Sequence, residues 1–324
     1  MRSFIITFLL ALMLPFLVKG QFAPPAGQPG TTAIYKDSSV FVNWATHCEV
    51  NRGWQNIADT TLGRANVGDS SMACGQAGTN GVVSLGDGGS AVLTFAYPIS
   101  NGPSWDFAVF ENSFSDTFLE LAFVEVSSDG INYFRFPSTS LTDTTVQVDA
   151  FGSLDATKIN NLAGKYRALY GTPFDLEELS AILSLDINHI THIRIVDVVG
   201  SLNKQYASYD ALGHPINDPW PTPYNSSGID LDAVGVIHQD ISSLNENEGA
   251  NQLIVFPNPC TSQLNIHSSF PLRTSLLDMN GRILKEIIIA NKNIVIRMED
   301  LQPGLYLLRI VSERGTEYHK IIKT

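Results

Sequence analysis

The sequence predicts an all-β protein built from β-sandwiches. The chain of 324 residues contains 25 Gly and 16 Pro together with many runs of Val, Ile, Phe and Thr. Short apolar runs are separated by turn signals, and the regular alternation of strands with helices is missing. Hydrophobic residues make up 44% of the chain and charged residues 16%, which excludes a chain that is disordered throughout. A chain of this length predicts two domains, since domains usually have about 100–200 residues.

The first twenty residues have the layout of a secretory signal peptide. Arg2 is followed by an apolar run from Phe4 to Val18 and then by Lys19 and Gly20. The run has about 15 residues, fewer than the roughly 20 that a membrane-spanning helix needs. We therefore predict a signal peptide at 1–20 with cleavage after Gly20, and no transmembrane segment. A buried N-terminal helix is the alternative.

Residues 21–238 are predicted to form the first β-sandwich. Ser128-Asp129-Gly130 is a hairpin signal between two of its strands. One helix is predicted at 175–184, with Asp175 as its N-cap and Glu178 completing a capping box. Strands outnumber helices, which favours a sandwich or jelly roll. The predicted strands are 82–85, 91–97, 106–110, 119–127, 131–136, 190–199 and 229–238.

A polar segment at 239–251 reads as a linker, and the charge changes sign across it. Residues 21–251 contain 9 Lys+Arg against 26 Asp+Glu, whereas residues 252–324 contain 9 against 6. The whole chain has a net charge of −12. This balance argues against a nucleic-acid partner, because binding phosphates requires clustered Lys and Arg.

Residues 252–324 alternate strongly between apolar and polar positions. Their turn signals are Pro257-Asn258-Pro259, Asn280-Gly281 and Gln302-Pro303-Gly304. Seven short strands in this length predict a small sandwich. The predicted strands are 253–256, 263–266, 275–278, 283–289, 293–296, 305–311 and 318–322.

This C-terminal segment resembles the type A sorting domain of the type IX secretion system. The resemblance implies an immunoglobulin-like β-sandwich, export across the outer membrane by the secretion machinery, removal of the domain by a sortase and attachment of the cargo to surface lipopolysaccharide. Gln21 fits as well, since cargo of this pathway often begins with glutamine. The matching motif residues are Pro257, Asn258, Pro259, Asn280, Gly281, Gly304, Tyr306, Lys320 and Lys323.

The first domain resembles the discoidin-like, galactose-binding-like jelly roll. The segments that carry this resemblance are 124–130, 134–136, 193–197 and 230–234. A second resemblance, at 83–86, 98–102 and 106–114, is to surface proteins associated with cobalamin uptake. The sequence departs from those proteins at Asp129-Gly130, where they have a longer insertion. The first resemblance implies a jelly roll, and the second implies a corrinoid ligand.

Cys48 and Cys74 lie in one polar, Gly-rich region and are predicted to form a disulfide in an oxidising compartment. The sequence leaves open whether they pair. Cys260 is predicted to be a free thiol, because it lies far from the other two.

Calcium is the cofactor that the acidic first domain favours. Calcium binds six to eight oxygen ligands from carboxylates and loop carbonyls, and jelly rolls of this kind often hold one structural calcium. Carboxylates that merely face solvent are the alternative. The candidate ligands flank predicted strand ends and are Asp106, Glu111, Asp197, Asp230 and Asp232.

The long loop at 204–228 is the predicted ligand-binding segment. Long loops in compact domains are usually functional, and aromatic rings stack on sugars or other flat ligands. Rings that only cover the end of the core are the alternative. The candidate ligand-binding residues are Trp105, Tyr206, Tyr209, Trp220 and Tyr224.

The function that these features favour is a secreted, surface-anchored protein that binds carbohydrate. Corrinoid capture is one alternative, and an adhesin or structural surface protein without a small ligand is another. No HExxH, GxSxG, Walker or GxGxxG motif is present, so the sequence predicts no enzyme. A glycoside hydrolase stays open, because 26 acids make some pair at the required spacing inevitable.

Overall fold

The structure is a computed structural model that describes residues 22–239, 253–268, 271–279, 281–289, 293–312 and 315–324. The predicted signal peptide lies outside the described residues. So do the predicted linker beyond Gln239 and the single residue Asn280. The described residues separate into two compact units, here called the cargo unit (22–239) and the sorting unit (from 253 on). No helix within the described ranges is long and apolar enough to cross a membrane.

The cargo unit has thirteen strands among its described residues, several of them only two residues long. Their bounds are β1 Ile34–Tyr35, β2 Asn43–Trp44, β3 His47–Asn51, β4 Val83–Ser84, β5 Ser90–Ile99, β6 Phe107–Glu111, β7 Ala122–Ser127, β8 Phe134–Arg135, β9 Thr139–Ser140, β10 Ile159–Asn160, β11 Tyr170–Phe174, β12 Ile190–Asp197 and β13 Asp230–Val236.

Two antiparallel sheets form the sandwich of the cargo unit. One has the strand order β1-β11-β6-β13-β2 with β4 paired to β13, and the other has the order β3-β5-β12-β7-β8. Phe107 and Val234 of the first sheet share one buried core cluster with Leu93, Val124 and Ile193 of the second. In the first sheet, β6 and β13 place Glu111 opposite Leu231, with an irregularity just after it. This register brings the end of β6 beside the start of β13.

The all-β class is confirmed, and each of the seven predicted cargo strands overlaps an observed one. The helix predicted at 175–184 is wrong: the structure has a single 3-10 turn at Leu176–Leu179. Asp175 caps that turn by accepting a hydrogen bond from Glu177 N, as the capping signal indicates. Glu178 does not close a capping box, because its carboxylate instead accepts from Asn161 Nδ2. The turn ends at Ser180, its C-cap.

A buried lysine lies in the loop that leads to β11. Lys165 is 4% exposed, and its ammonium donates to Ile159 O at 2.8 Å. Burial lowers the pKa of Lys165 to about 8 from 10.5. Below pH 8 the folded protein therefore holds a poorly solvated charge that the unfolded chain carries freely in water.

We expect this lysine to make the cargo unit more stable as the pH rises from about 8 to about 10.5. In that window the unfolded chain binds more protons than the folded protein, so the free energy of unfolding increases with pH, by up to about 3 kcal/mol. Urea unfolding should be measured across this range in the wild type and in Lys165→Met, which shares every other titrating group. Parallel curves for the two proteins would contradict the expectation.

The seven strands predicted for the C-terminal segment are confirmed in the sorting unit. They are β14 Leu253–Phe256, β15 Gln263–Ser268, β16 Leu272–Leu277, β17 Ile283–Ile289, β18 Asn293–Arg297, β19 Gly304–Ser312 and β20 Gly315–Lys323. A three-stranded sheet, β14-β15-β18, and a four-stranded sheet, β17-β16-β19-β20, share one core. Leu264 and Ile296 of the first sheet pack with Leu276 and Leu308 of the second.

The motif residues of the sorting unit tie its first and last strands together. The Asn258 side chain donates to Lys320 O at 2.7 Å and accepts from Ile322 N at 2.9 Å. Tyr306 Oη donates to Gln302 O at 2.6 Å, which holds the segment that leads into β19. Two motif residues, Asn258 and Tyr306, therefore hold backbone through their side chains, Asn258 at β20 and Tyr306 just before β19. Pro257 and Pro259 flank Asn258, Gly304 begins β19, and Lys320 and Lys323 lie on β20.

Candidate functional site

A pocket with an aromatic wall and several polar lining residues lies at one end of the cargo sandwich. Its volume is about 330 Å³. It collects side chains from four separate segments, namely the loop after β6, the turn near residue 151, the segment 222–226 and the start of β13. The lining residues are Asn112, Ser113, Phe114, Phe118, Glu120, Ala150, Phe151, Thr222, Tyr224, Ser226 and Asp230.

Four aromatic rings lie side by side along one wall of this pocket. They are here called the aromatic row: Phe114, Phe118, Phe151 and Tyr224. Successive ring centroids are 4.6, 6.1 and 5.8 Å apart. Phe114 is 76% exposed, Phe151 67% and Tyr224 45%. Exposure on this scale means that the rings present apolar area to solvent next to hydrogen-bonding groups.

Side-chain to backbone hydrogen bonds hold the loop that carries two of these rings. The Ser113 hydroxyl donates to Phe118 O, and Ser115 Oγ accepts from Phe118 N at 2.9 Å. Arg167 Nη1 lies 2.6 Å from the Asp116 carboxylate and ties the loop to the neighbouring segment. Phe114 and Phe118 are thus fixed by the fold of their own loop rather than by burial of their rings.

Six carboxylates, most of them buried, influence one another electrostatically and are here called the carboxylate cluster: Asp87, Glu111, Glu120, Asp197, Asp218 and Asp230. Two of them, Glu120 and Asp230, line the pocket. Burial raises the pKa of all six, that of Asp230 to about 6. Mutual repulsion raises several further: Glu111 and Asp230 both raise the pKa of Glu120, and Asp197 raises that of Asp218. The cluster concentrates negative charge in a poorly solvated place.

The carboxylates of three members of the cluster accept hydrogen bonds from backbone N–H groups. Asp197 accepts from Ile229 N at 2.8 Å and from Gly88 N at 3.0 Å. Asp218 accepts from Leu121 N at 2.7 Å. Asp87 accepts from Ile57 N at 2.8 Å and from Trp220 Nε1 at 3.1 Å. Hydrogen bonds of this kind satisfy buried carboxylates and join loops that are distant in sequence.

The backbone at Gly228 packs closely against the Asp197 carboxylate. Its φ is +68°, and a Cβ at this position would lie 2.6 Å from Asp197 Oδ1. Only glycine combines that backbone conformation with that approach. The chain can therefore bring Ile229 N to the carboxylate and then enter β13 at Asp230.

The other three members of the cluster are less well satisfied. Glu111 Oε2 accepts from Ser113 N at 2.8 Å, while Glu111 Oε1 is buried and has no partner among the described residues. The carboxylate of Glu120 receives no hydrogen bond from the part of the chain that the structure describes. Asp230 accepts from Ser84 Oγ. Glu120 and Asp230 also line the pocket.

The structure places one of the five predicted ligand-binding residues, Tyr224, at this pocket. Trp220 and Tyr206 pair with each other, with ring centroids 6.3 Å apart, and Trp220 also donates to Asp87. Tyr209 is 41% exposed and Trp105 is half-buried, and neither lines the pocket. A ligand role stays a prediction for all five residues, including Tyr224.

Three of the five predicted calcium ligands, Glu111, Asp197 and Asp230, belong to the carboxylate cluster. Asp106 lies at the opposite end of β6, where it accepts from Gly102 N at 2.8 Å, Leu176 N at 2.7 Å and His238 Nδ1 at 2.8 Å. Asp232 accepts from Gly78 N through both oxygens. Within the described ranges, no three His, Cys, Asp or Glu side chains are placed so that they could hold a metal ion. Calcium binding by the five residues stays a prediction.

The two thiols predicted to pair lie in one part of the core but are not joined in the structure. Cys48, on β3, is buried in the main core cluster, and Cys74 packs against the same cluster. Burial, and to a smaller extent the neighbouring Cys74, raises the pKa of Cys48 to about 12. Pairing of Cys48 with Cys74 stays a prediction. Cys260 is buried in the core of the sorting unit as a free thiol.

Sequence reasoning missed Phe114, Phe118, Phe151 and Glu120. Phe114 and Phe151 each follow a polar segment, in Glu-Asn-Ser-Phe and Asp-Ala-Phe-Gly. A large ring beside Asn, Asp or Gly in a predicted loop is the signal that could have identified them. Glu120 stands between two buried leucines, and no periodicity marks it as a pocket residue.

Comparison with known families identifies the C-terminal segment. Residues 254–324 match the family described as secretion system C-terminal sorting domain. The match lies within the sorting unit. No curated protein matches the chain.

Among solved structures, the chain is similar to PorZ, an essential surface component of the type-IX secretion system of Porphyromonas gingivalis. That similarity has 12% identity and a TM-score of 0.21, and it covers 29% of this chain and 14% of PorZ. A β-glucuronidase from Ruminococcus gnavus in complex with uronic isofagomine gives 9% identity and a TM-score of 0.23, covering 90% of this chain and 45% of the enzyme. The chain thus spans less than half the length of these proteins, and nothing about its ligand follows from them.

Proposed function

We propose that the cargo unit binds carbohydrate at the cell surface. The premise is that residues 254–324 are a sorting domain, which takes the protein through the type IX machinery to that surface. The observation that carries the proposal is the aromatic row, which lines the pocket together with several polar residues. We also expect, from the resemblance of the C-terminal segment, that a sortase removes the sorting domain and that the cargo is attached to surface lipopolysaccharide.

A sugar ring has an apolar face of C–H groups and a rim of hydroxyls. The aromatic row offers rings for the apolar face, with Phe114 and Phe151 the most exposed of them. Asn112, Glu120 and Ser226 line the same pocket and can exchange hydrogen bonds with the hydroxyls. This pairing of flat apolar area with a few polar groups is the usual composition of a small-ligand site.

The size of the pocket favours sugar over corrinoid. Ligand sites usually measure about 300–1,000 Å³, and this pocket, at about 330 Å³, is at the lower limit. One or two sugar rings fit such a volume better than a corrinoid macrocycle does. The exposed row also fits a protein partner, which is the adhesin alternative.

We expect the double variant Phe114→Ala/Phe151→Ala to weaken oligosaccharide binding at least tenfold, about 1.4 kcal/mol, because both stacking surfaces are lost. The test is titration of the purified full chain with a panel of oligosaccharides and, as a separate arm, with cobalamin. The unfolding temperature should stay unchanged, since both rings are mostly exposed.

Tyr209→Ala is the matched control, because it removes an exposed ring outside the pocket. It should leave oligosaccharide affinity unchanged. A loss of affinity in Tyr209→Ala but not in the double variant would move the site to the loop at 204–228. Binding of cobalamin alone would replace carbohydrate with corrinoid, and an empty panel would favour the adhesin alternative.

A further inference from the structure

Glu120 is a buried acid on the pocket lining whose carboxylate has no partner. The residue is 9% exposed. Within the part of the chain that the structure describes, the carboxylate receives no hydrogen bond and takes part in no ion pair. Burying a carboxylate without a partner is costly, and native structures rarely do so. A ligand that enters the pocket can supply the missing partner.

The backbone around Glu120 is held firmly in place. Leu121 N donates to the Asp218 carboxylate at 2.7 Å. A Cβ at Gly164, whose φ is +79°, would lie 1.8 Å from Glu120 O, so these two segments are in close contact. Leu119 and Leu121 belong to a buried hydrophobic cluster. Successive side chains of extended backbone point to opposite sides, so the burial of both leucines directs Glu120 towards the pocket that it lines.

Asp230 is a second acid on the pocket lining with capacity for a ligand. Its Oδ1 accepts from Ser84 Oγ, and no other hydrogen bond reaches its carboxylate from the described residues. Burial raises the pKa of Glu120 most, and repulsion by Glu111 and then by Asp230 raises it further. Glu120 and Asp230 are therefore close enough to repel each other within one pocket.

No basic side chain among the described residues neutralises these two acids. The pocket lining contains no Lys, Arg or His from the described part of the chain. Arg52 attracts Asp230 electrostatically, but its Nη1 donates to Val67 O at 2.8 Å and also to Ser84 O, while its Nη2 donates to Gly68 O at 2.5 Å. Three carbonyls therefore hold this guanidinium outside the pocket. The pocket attracts a cation and repels an anionic ligand.

We propose that the ligand of the pocket is an amino sugar, whose free, protonated amino group binds to Glu120 and Asp230. The inference rests on the proposed function, carbohydrate binding, and narrows it to one class of sugar. An ammonium group has three donors and no acceptor, and it forms strong charge-assisted hydrogen bonds with carboxylates. The aromatic row suits both parts of such a ligand, because aromatic faces attract ammonium groups as well as the C–H face of a sugar.

The same arrangement disfavours other classes of sugar. An anionic sugar, such as a uronic acid, brings a further carboxylate beside Glu120 and Asp230, and like charges at close range repel. A neutral sugar offers the two acids only neutral donors, which form weaker hydrogen bonds than an ammonium does. Acetylation of the amino group removes its positive charge. The pocket therefore discriminates by the charge of the ligand.

The test is calorimetric titration of the purified full chain with three disaccharides that share one backbone. Chitobiose carries free amino groups, N,N′-diacetylchitobiose carries acetamides in their place, and cellobiose carries hydroxyls. A buffer of about pH 6.5 keeps the amino groups protonated, and about 0.15 M NaCl screens the long-range attraction of an acidic protein for cations. We expect chitobiose to bind about tenfold or more tightly than either of the other two.

Glu120→Gln should reduce the preference for chitobiose over cellobiose to about twofold or less, because it keeps the shape of the side chain and removes its charge. Asp230→Asn is the second variant and should also reduce the preference. Glu177→Gln removes the same charge from an exposed position outside the pocket and should keep the full preference. Each readout is a ratio of two affinities measured on one protein, so a partly misfolded fraction of a variant cancels.

Equal affinities of the wild type for the three disaccharides would overturn the amino sugar and leave carbohydrate binding standing. An unchanged preference in both Glu120→Gln and Asp230→Asn would overturn the inference in the same way. Absence of binding to every oligosaccharide would reject the proposed function, and the inference with it. Binding of tetralysine in place of every sugar would assign the bound ammonium to a protein partner and reject both.

Discussion

Phe107→Ala is expected to lower the free energy of unfolding of the cargo unit by about 3–5 kcal/mol. Phe107 is fully buried on β6 at the centre of the sandwich. Its ring stacks on Phe174 at 5.3 Å, with an interplanar angle of 12°, and meets Phe136 at 5.9 Å. Truncation leaves a cavity between the two sheets and removes two aromatic contacts. Since small proteins are stable by only about 5–15 kcal/mol, this is a large fraction of the total.

Urea unfolding followed by tryptophan fluorescence measures this loss in the full chain. Phe114→Ala is the matched control: it makes the same chemical change at a ring that is 76% exposed. It should change stability by no more than about 0.5 kcal/mol. Equal effects of the two substitutions would show that β6 does not hold the centre of the core.

Loss of both arginines around Glu125 is the second large effect that we expect. Glu125, on β7, is 5% exposed and lies between two guanidinium groups. Arg135 Nη2 is 2.8 Å from Oε1, and Arg194 Nη2 is 2.5 Å from Oε2. The double variant Arg135→Met/Arg194→Met should cost about 3–5 kcal/mol, because it leaves a buried carboxylate without a cation.

Each single variant should cost about 1 kcal/mol, since the remaining arginine still neutralises Glu125. Methionine preserves much of the contact that Arg135 makes with Phe123 and that Arg194 makes with Tyr133. A double-mutant cycle in urea therefore isolates the charge effect. Adding Glu125→Leu to the double variant should restore most of the lost stability. Additive single effects without rescue would indicate that only packing had been removed.

The long strands are predicted well because burial imposes a pattern of apolar and polar positions that can be read along the sequence. β5, β12 and β13 each present alternating or continuous apolar residues over seven positions or more. The two-residue strands β1, β2, β9 and β10 carry no such period and are missing from the prediction. The five-residue strands β3 and β11 are missing from it as well. The pairing of the two-residue strands is set by the loops and the neighbouring strands, so local sequence cannot reveal it.

The wrong helix at 175–184 shows the limit of a capping signal. Asp175 does cap a turn, as predicted. Propagation of a helix depends on what the following residues contact, and here Leu176, Leu179 and Leu185 belong to the main core. Tertiary packing therefore selects a single 3-10 turn, which no local pattern distinguishes from the start of a helix.

The candidate site was only partly predictable for a related reason. Glu111, Asp197 and Asp230 are among the five candidate calcium ligands predicted from the sequence, and Tyr224 is among the five candidate ligand-binding rings. Tyr224 lines the pocket, and the binding roles stay predictions. Sequence reasoning misses Phe151 because the pocket is assembled from four segments. These meet where β6 ends and β13 begins, a juxtaposition fixed by strand pairing over more than a hundred residues of sequence.

The buried side chains of the protein form separate clusters, and this separation matters for the stability of the cargo unit. Each buried cluster within the described ranges draws its members from one unit alone, either from the cargo unit or from the sorting unit. The side chains that form the buried clusters of the cargo unit are therefore all supplied by the cargo unit itself. The sortase cleavage proposed above would leave those clusters, and the hydrophobic free energy of the cargo unit, intact.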